Sequence, residues 1–71
     1  MKQLITTTDA VRLSFLFPLL RDGGIDFTVN DAQIAAHEGG IGAFPRRVMV
    51  PTAQFLAAKT LLEEAAQFYD D

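Results

Sequence analysis

Residues 37–47, HEGGIGAFPRR, hold the one histidine of the chain, three of its five glycines and a pair of arginines. Clustered glycines let successive backbone N–H groups converge on an anion, and adjacent arginines add charge and donors suited to phosphate or carboxylate. The chemistry this stretch could support is therefore anion binding by Gly39, Gly40, Gly42, Arg46 and Arg47. Phosphate loops place their glycines ahead of a helix N-terminus and follow them with Lys-Ser or Lys-Thr. Here Gly42 leads into Ala43, Phe44, Pro45 and a strand-like run, so the mononucleotide and dinucleotide fingerprints fail and only a looser nest is left. A plainer reading gives the glycines to turns and folds Ile41 and Phe44 over one end of the core.

His37, Glu38 and Asp31 offer one imidazole and two carboxylates. A transition-metal site wants more nitrogen or sulfur ligands, and neighbouring residues on a helix diverge. No serine, cysteine or lysine lies where His37 could activate it as a nucleophile. The expectation is no catalytic residue, no metal and no cofactor, so the chain reads as a non-enzyme.

These residues need elements to position them. KQLITT (2–7) is short and β-branched, a strand. Thr8 or Asp9 then supplies a helix N-cap, and Val11, Leu13, Leu16, Phe17 and Leu20 recur at the spacing of one helix face. Pro18 removes a donor inside that helix and predicts a kink, while Gly23 suits the left-handed position that ends it. In residues 25–30, Ile25, Phe27 and Val29 alternate with Asp26, Thr28 and Asn30, a strand with one wet face. The loop over 31–45 is longer than a hairpin needs and has room for a turn of helix, with Ile34 facing inward. RRVMV (46–50) follows as a strand with Val48 and Val50 inward and Arg47 and Met49 outward; Asp26 is expected to pair with one of the two arginines. Pro51 stops it and Thr52 opens a helix whose stripe is Phe55, Ala58, Leu62 and Ala65. The pattern runs as far as Phe68, and the closing YDD is polar and expected to fray.

The order β-α-β-loop-β-α predicts one α+β domain over 1–71. It is a ferredoxin-like two-layer sandwich with a three-stranded antiparallel sheet and two helices on one face. With 71 residues and no cysteine, stability rests on apolar packing alone, and a homodimer would add to a thin core. A net charge of −3 argues against general nucleic-acid binding and against an anionic membrane surface. No apolar run approaches the roughly 20 residues of a membrane span and no secretory signal is evident, which makes a cytoplasmic location the expectation.

LLRDGGIDFTV, EGGIGAFPRRVMVP and AAKTLLEEA, taken together, resemble the DUF2007 family of small prokaryotic proteins associated with signal transduction. The resemblance spans nearly the whole chain and implies a ferredoxin-like fold akin to the PII signalling proteins, which bind nucleotides and 2-oxoglutarate and reach their targets through a long loop. The 31–45 loop occupies the equivalent place, but the modification tyrosine is missing from it, since the one tyrosine is Tyr69. Two functions stay open. One is a non-enzymatic signalling or interaction module that presents an open sheet face (Asp26, Thr28, Arg47, Met49) and the loop to a protein partner or a second copy. The other is a sensor of a small anionic ligand such as a nucleotide at the glycine-rich loop.

Overall fold

The computed structural model describes residues 1–31 and 45–71. Strand β1 (Lys2–Thr7) is followed by helix α1 (Ala10–Asp22), strand β2 (Thr28–Asp31), strand β3 (Arg46–Val50), a 3-10 turn (Thr52–Gln54) and helix α2 (Phe55–Glu64). The sheet order is β1-β3-β2, and β3 runs antiparallel to both neighbours. Thus β1 and β2, joined through α1, are parallel with β3 inserted between them. This split βαβ arrangement is the expected ferredoxin-like two-layer α+β fold with three strands and two helices.

Register decides which side chains meet. On β1, Ile5 lies opposite Val48 and Gln3 opposite Met49, with an irregularity between them at Leu4. A bulge of this kind inserts one residue, and both Leu4 and Ile5 end up buried. Across β3, Val29 faces Val48, while Thr28 faces Met49 and Asn30 faces Arg47. The core gathers Leu4, Ile5, Val48 and Val50 from the sheet, Leu13, Leu16 and Leu20 from α1, and Ala58 and Leu62 from α2. Phe17 and Phe27 stack at its margin with ring centroids 5.3 Å apart.

Several boundaries differ from the sequence reading, each for a physical reason. β2 begins at Thr28 rather than at residue 25; Ile25 and Phe27 still point inward, but ahead of the ladder. As expected, α1 runs as one helix through Pro18, which lies on its exposed side. Asp9 caps it, Oδ1 accepting from the N–H groups of Val11 (2.9 Å) and Arg12 (3.2 Å). Val11 is 78% exposed, and Arg12 is the buried residue of that turn. At about 100° per residue, Val11 points nearly opposite to Leu13, which excludes it from the Leu13–Leu16–Leu20 face.

Both helices end on one hydrogen-bonded turn. At α1, Gly24 N–H donates to Arg21 C=O and Ile25 N–H to Leu20 C=O; at α2, Ala66 N–H donates to Glu63 C=O and Gln67 N–H to Leu62 C=O. These are Schellman closures, which need a left-handed residue after the cap. Gly24 fills that role with φ +77°, not Gly23, whose lack of a Cβ instead admits the side chain of Leu61. At α2 the left-handed residue is Ala66, φ +59°, where a Cβ costs about 1–2 kcal/mol. Thr52 starts a 3-10 turn without a side-chain cap, and α2 stops at Glu64, short of the Ala65 stripe position.

Candidate functional site

Two surfaces carry polar chemistry. The first is the sheet face turned away from the helices. Antiparallel partners share a face, so β3 lays two rows across it: Gln3–Met49–Thr28 and Thr6–Arg47–Asn30. Thr28, Arg47 and Met49 therefore stand together, as their alternation predicts, with Arg47 exposed and Met49 half-buried. Arg47 makes no ion pair among the described residues.

Asp26 is not part of these rows. It precedes β2, its N–H donates to Gln54 Oε1 (2.7 Å), and its Oδ2 accepts from Gln54 Nε2 (3.3 Å). The expected pairing of Asp26 with a β3 arginine is therefore not formed with Arg47, which has Asn30 and Thr6 across from it instead. Arg46 and Arg47 are successive strand residues, and the two-residue period sends their side chains to opposite faces. The remaining members of the anion site, Gly39, Gly40 and Gly42, lie outside the described residues, as do Ile34, His37, Glu38, Ile41 and Phe44.

The second surface, which the sequence reading missed, is built around Arg12. This side chain is only 7% exposed. Its Nε donates to Gln67 Oε1 (2.8 Å), Nη1 to Asp71 Oδ1 (2.9 Å), and Nη2 to the carbonyls of Gln67 and Tyr69, the latter at 2.8 Å. Its guanidinium carbon lies 3.8 Å from the centroid of the Tyr69 ring, a cation–π contact. One planar fork thus reads two main-chain carbonyls, one amide and one carboxylate. A lysine, with a compact ammonium, could not reproduce that geometry.

The segment held by Arg12 also closes the outer edge of β1. Thr6 N–H donates to Asp70 Oδ1 (2.9 Å) and Thr6 C=O accepts from Asp71 N–H (3.0 Å). Thr8 Oγ1 donates to Asp71 C=O (3.3 Å). The expected frayed YDD is instead docked: Asp70 and Asp71 satisfy edge-strand groups that would otherwise face water. The Asp71 carboxyl is held below its ordinary value of 3.8 by its hydrogen bond from the Thr7 side chain, which outweighs partial desolvation, and by the Arg12 hydrogen bond and charge. Between β1 and the segment lies a cleft of about 210 Å³ lined by Leu4, Ile5, Phe68, Tyr69 and Asp70. The sequence did carry a signal for Arg12, since helical angle places it on the flank of the buried face. Its partner 59 residues away has no local signature.

The sheet order, the two helices on one core and the polar outer face define a small ferredoxin-like α+β module. Residues 1–66 match the family described as "Putative prokaryotic signal transducing protein", DUF2007, and the chain belongs to that family. It matches no curated protein and no solved structure. The family match stops at Ala66, the left-handed residue, so residues 67–71 that Arg12 grips lie beyond it. Among the described residues, no helix is long and apolar enough to cross a membrane.

Proposed function

We propose that this domain is a non-enzymatic signalling module that binds a protein partner through its open sheet face. The observation that carries the reading is the pair of rows Gln3–Met49–Thr28 and Thr6–Arg47–Asn30, which helices α1 and α2 leave uncovered. Arginine and methionine are enriched at the centres of protein interfaces, while the surrounding amides and hydroxyls suit a hydrogen-bonded rim. The family description, which concerns signal transduction, is consistent with such a role. In this reading Asp26 belongs to the fold, since Gln54 holds it, and Thr28, Arg47 and Met49 form the contact.

The test is Arg47→Glu with Met49→Glu as a second variant, read by partner capture from a lysate and by thermal melting. Loss of capture at unchanged melting temperature supports the open face as the interface. Full capture by both variants overturns it.

A further inference from the structure

Residues 67–71 behave as a ligand that happens to be attached. They are held mainly by polar contacts: Arg12 bonds two of their backbone carbonyls, Thr6 bonds an N–H and a side chain, and Asp71 meets Arg12. Phe68 also packs against the core, and a cleft of about 210 Å³ lies between Phe68, Tyr69, Asp70 and the Leu4–Ile5 pair. The recognition is that of a peptide added to a sheet edge, main-chain bonds for affinity and a few side chains for selectivity.

The connection to this site is one residue in an unfavourable conformation. Glu63, Glu64, Ala65, Ala66 and Gln67 are a run of helix formers with no glycine, and locally they favour continuing α2. The turn at Ala66 breaks the helix against that preference, closed by its own bonds to Glu63 C=O and Leu62 C=O and backed by the Arg12 contacts to residues 67–71. If Ala66 rotates to the helical region, α2 lengthens, the segment leaves Arg12, and it projects where a neighbouring molecule can receive it. The one peptide whose complementarity to the Arg12 site is on view is the chain's own. We infer that the groove between Arg12 and the β1 edge is a peptide-binding site, and that its second occupant is residues 67–71 of another copy of this chain, exchanged reciprocally about Ala66. Such a C2 exchange reuses the Arg12 and Thr6 contacts to residues 67–71 and gives up only the turn bonds from Ala66 N–H and Gln67 N–H at the end of α2. It uses a different edge of the molecule from the open face proposed above and stands independently of it.

Attachment through a single residue gives the segment an effective concentration in the millimolar range or above, so the monomer dominates when dilute. Sedimentation equilibrium of the full chain should give 7.8 kDa at low concentration and a rise toward twice that as the millimolar range is approached. Ala66→Val, a β-branched residue that strongly resists positive φ, should move the rise to concentrations about tenfold lower or more. Ala66→Gly should move it the other way. Adding Arg12→Ala to Ala66→Val should restore 7.8 kDa throughout, whereas adding Arg47→Glu should leave the dimer intact. A monomeric Ala66→Val at every concentration overturns the proposal, as does a dimer that survives Arg12→Ala or is lost with Arg47→Glu. Should Ala66→Val not fold, wild type against Ala66→Gly decides. A dimer weakened by glycine supports exchange; no dimer in wild type, or one indifferent to glycine, overturns it.

Discussion

Arg12 and Arg47 carry the same charge in opposite surroundings. Arg12 sits in the first turn of α1, buried, with a partner for each nitrogen of its guanidinium; Arg47 sits on the middle strand, exposed, with Asn30 and Thr6 across from it. One arginine is committed to holding the chain together, and the other is available to something outside it. A helix flank at the edge of a small core leaves room for a long side chain to lie along apolar surface and emerge at a second segment. Among the described residues, the middle of the outer sheet face has no second layer over it. Position in the fold, rather than residue type, separates the structural arginine from the one suited to recognition.

The largest break in this comparison should come from Arg12→Ala. It removes all the guanidinium bonds to residues 67–71 at once, and hydrogen bonds to a charged group contribute about 1.5–3 kcal/mol each when isolated. The segment would detach into water rather than stay unsatisfied, so the expected loss is about 2–3 kcal/mol, below the ~3–5 of a fully buried broken pair. For a domain of this size that is a fall in melting temperature of about 10–20 °C, checked by calorimetry. Loss of amide protection at Asp71, whose N–H pairs with Thr6, should accompany it. A melting temperature unchanged from wild type would place Arg12 with Arg47 and remove the distinction.

The two helix ends sharpen the same contrast between what is built in and what is held by partners. Gly24→Ala puts a Cβ on a residue with φ +77°, and the expected cost is about 1–2 kcal/mol by chemical denaturation. The converse substitution, Ala66→Gly, relieves about 1–2 kcal/mol of left-handed strain while adding about 0.4–1 kcal/mol of unfolded-state freedom. A net gain of about 0.5–1 kcal/mol is expected, smaller than the loss at Gly24 and opposite in sign. A loss at Ala66 would mean that the alanine methyl has a packing role there, and that the turn is not held open by Arg12.

Acid gives a weaker and reversible version of the Arg12 experiment. The folded-state pKa of Asp71 is depressed, so its contribution to docking is complete above the ordinary value of 3.8 and is lost as pH falls below it. Because Asp71 is well exposed, the effect should appear as local release rather than global unfolding. The side-chain resonances of Arg12 and Tyr69 should shift together below about pH 4 while those of Leu16 and Val48 hold. Joint loss of all four signals would assign the acid transition to the whole fold.

Much of the architecture was legible because it follows from local periodicity. The alternation of Ile25–Val29 and of Arg46–Val50 put the right side chains inward, and the place before an apolar run narrowed the cap to Thr8 or Asp9, of which Asp9 is the one used. What escaped was long-range or conformational. Gln67 and Asp71 reach Arg12 across more than fifty residues, and no local pattern couples them. The stop at Ala66 lacks the glycine that usually announces a left-handed turn, so residues 64–68 looked like more helix. Val11 was assigned inward on spacing alone, where the helical angle already places it outside. Asp26 was read as a strand residue facing an arginine, but its side chain is taken by Gln54 across a turn the sequence does not announce.

The smallest effect on stability belongs to Arg47→Glu, and it is the most informative about function. An exposed residue facing Asn30 and Thr6 has no charge partner to lose among the described residues, so the change should stay within about 0.5 kcal/mol. Recognition responds differently, because reversing a charge at an interface introduces repulsion as well as removing attraction. If the open face is the contact surface, this variant melts with wild type yet no longer holds its partner, and its loss of binding lessens with added salt. A drop in stability of 2 kcal/mol or more instead would make Arg47 a second Arg12, tied to its own chain. The sheet face would then be a finished surface, and the search for the partner would move to the β1 edge.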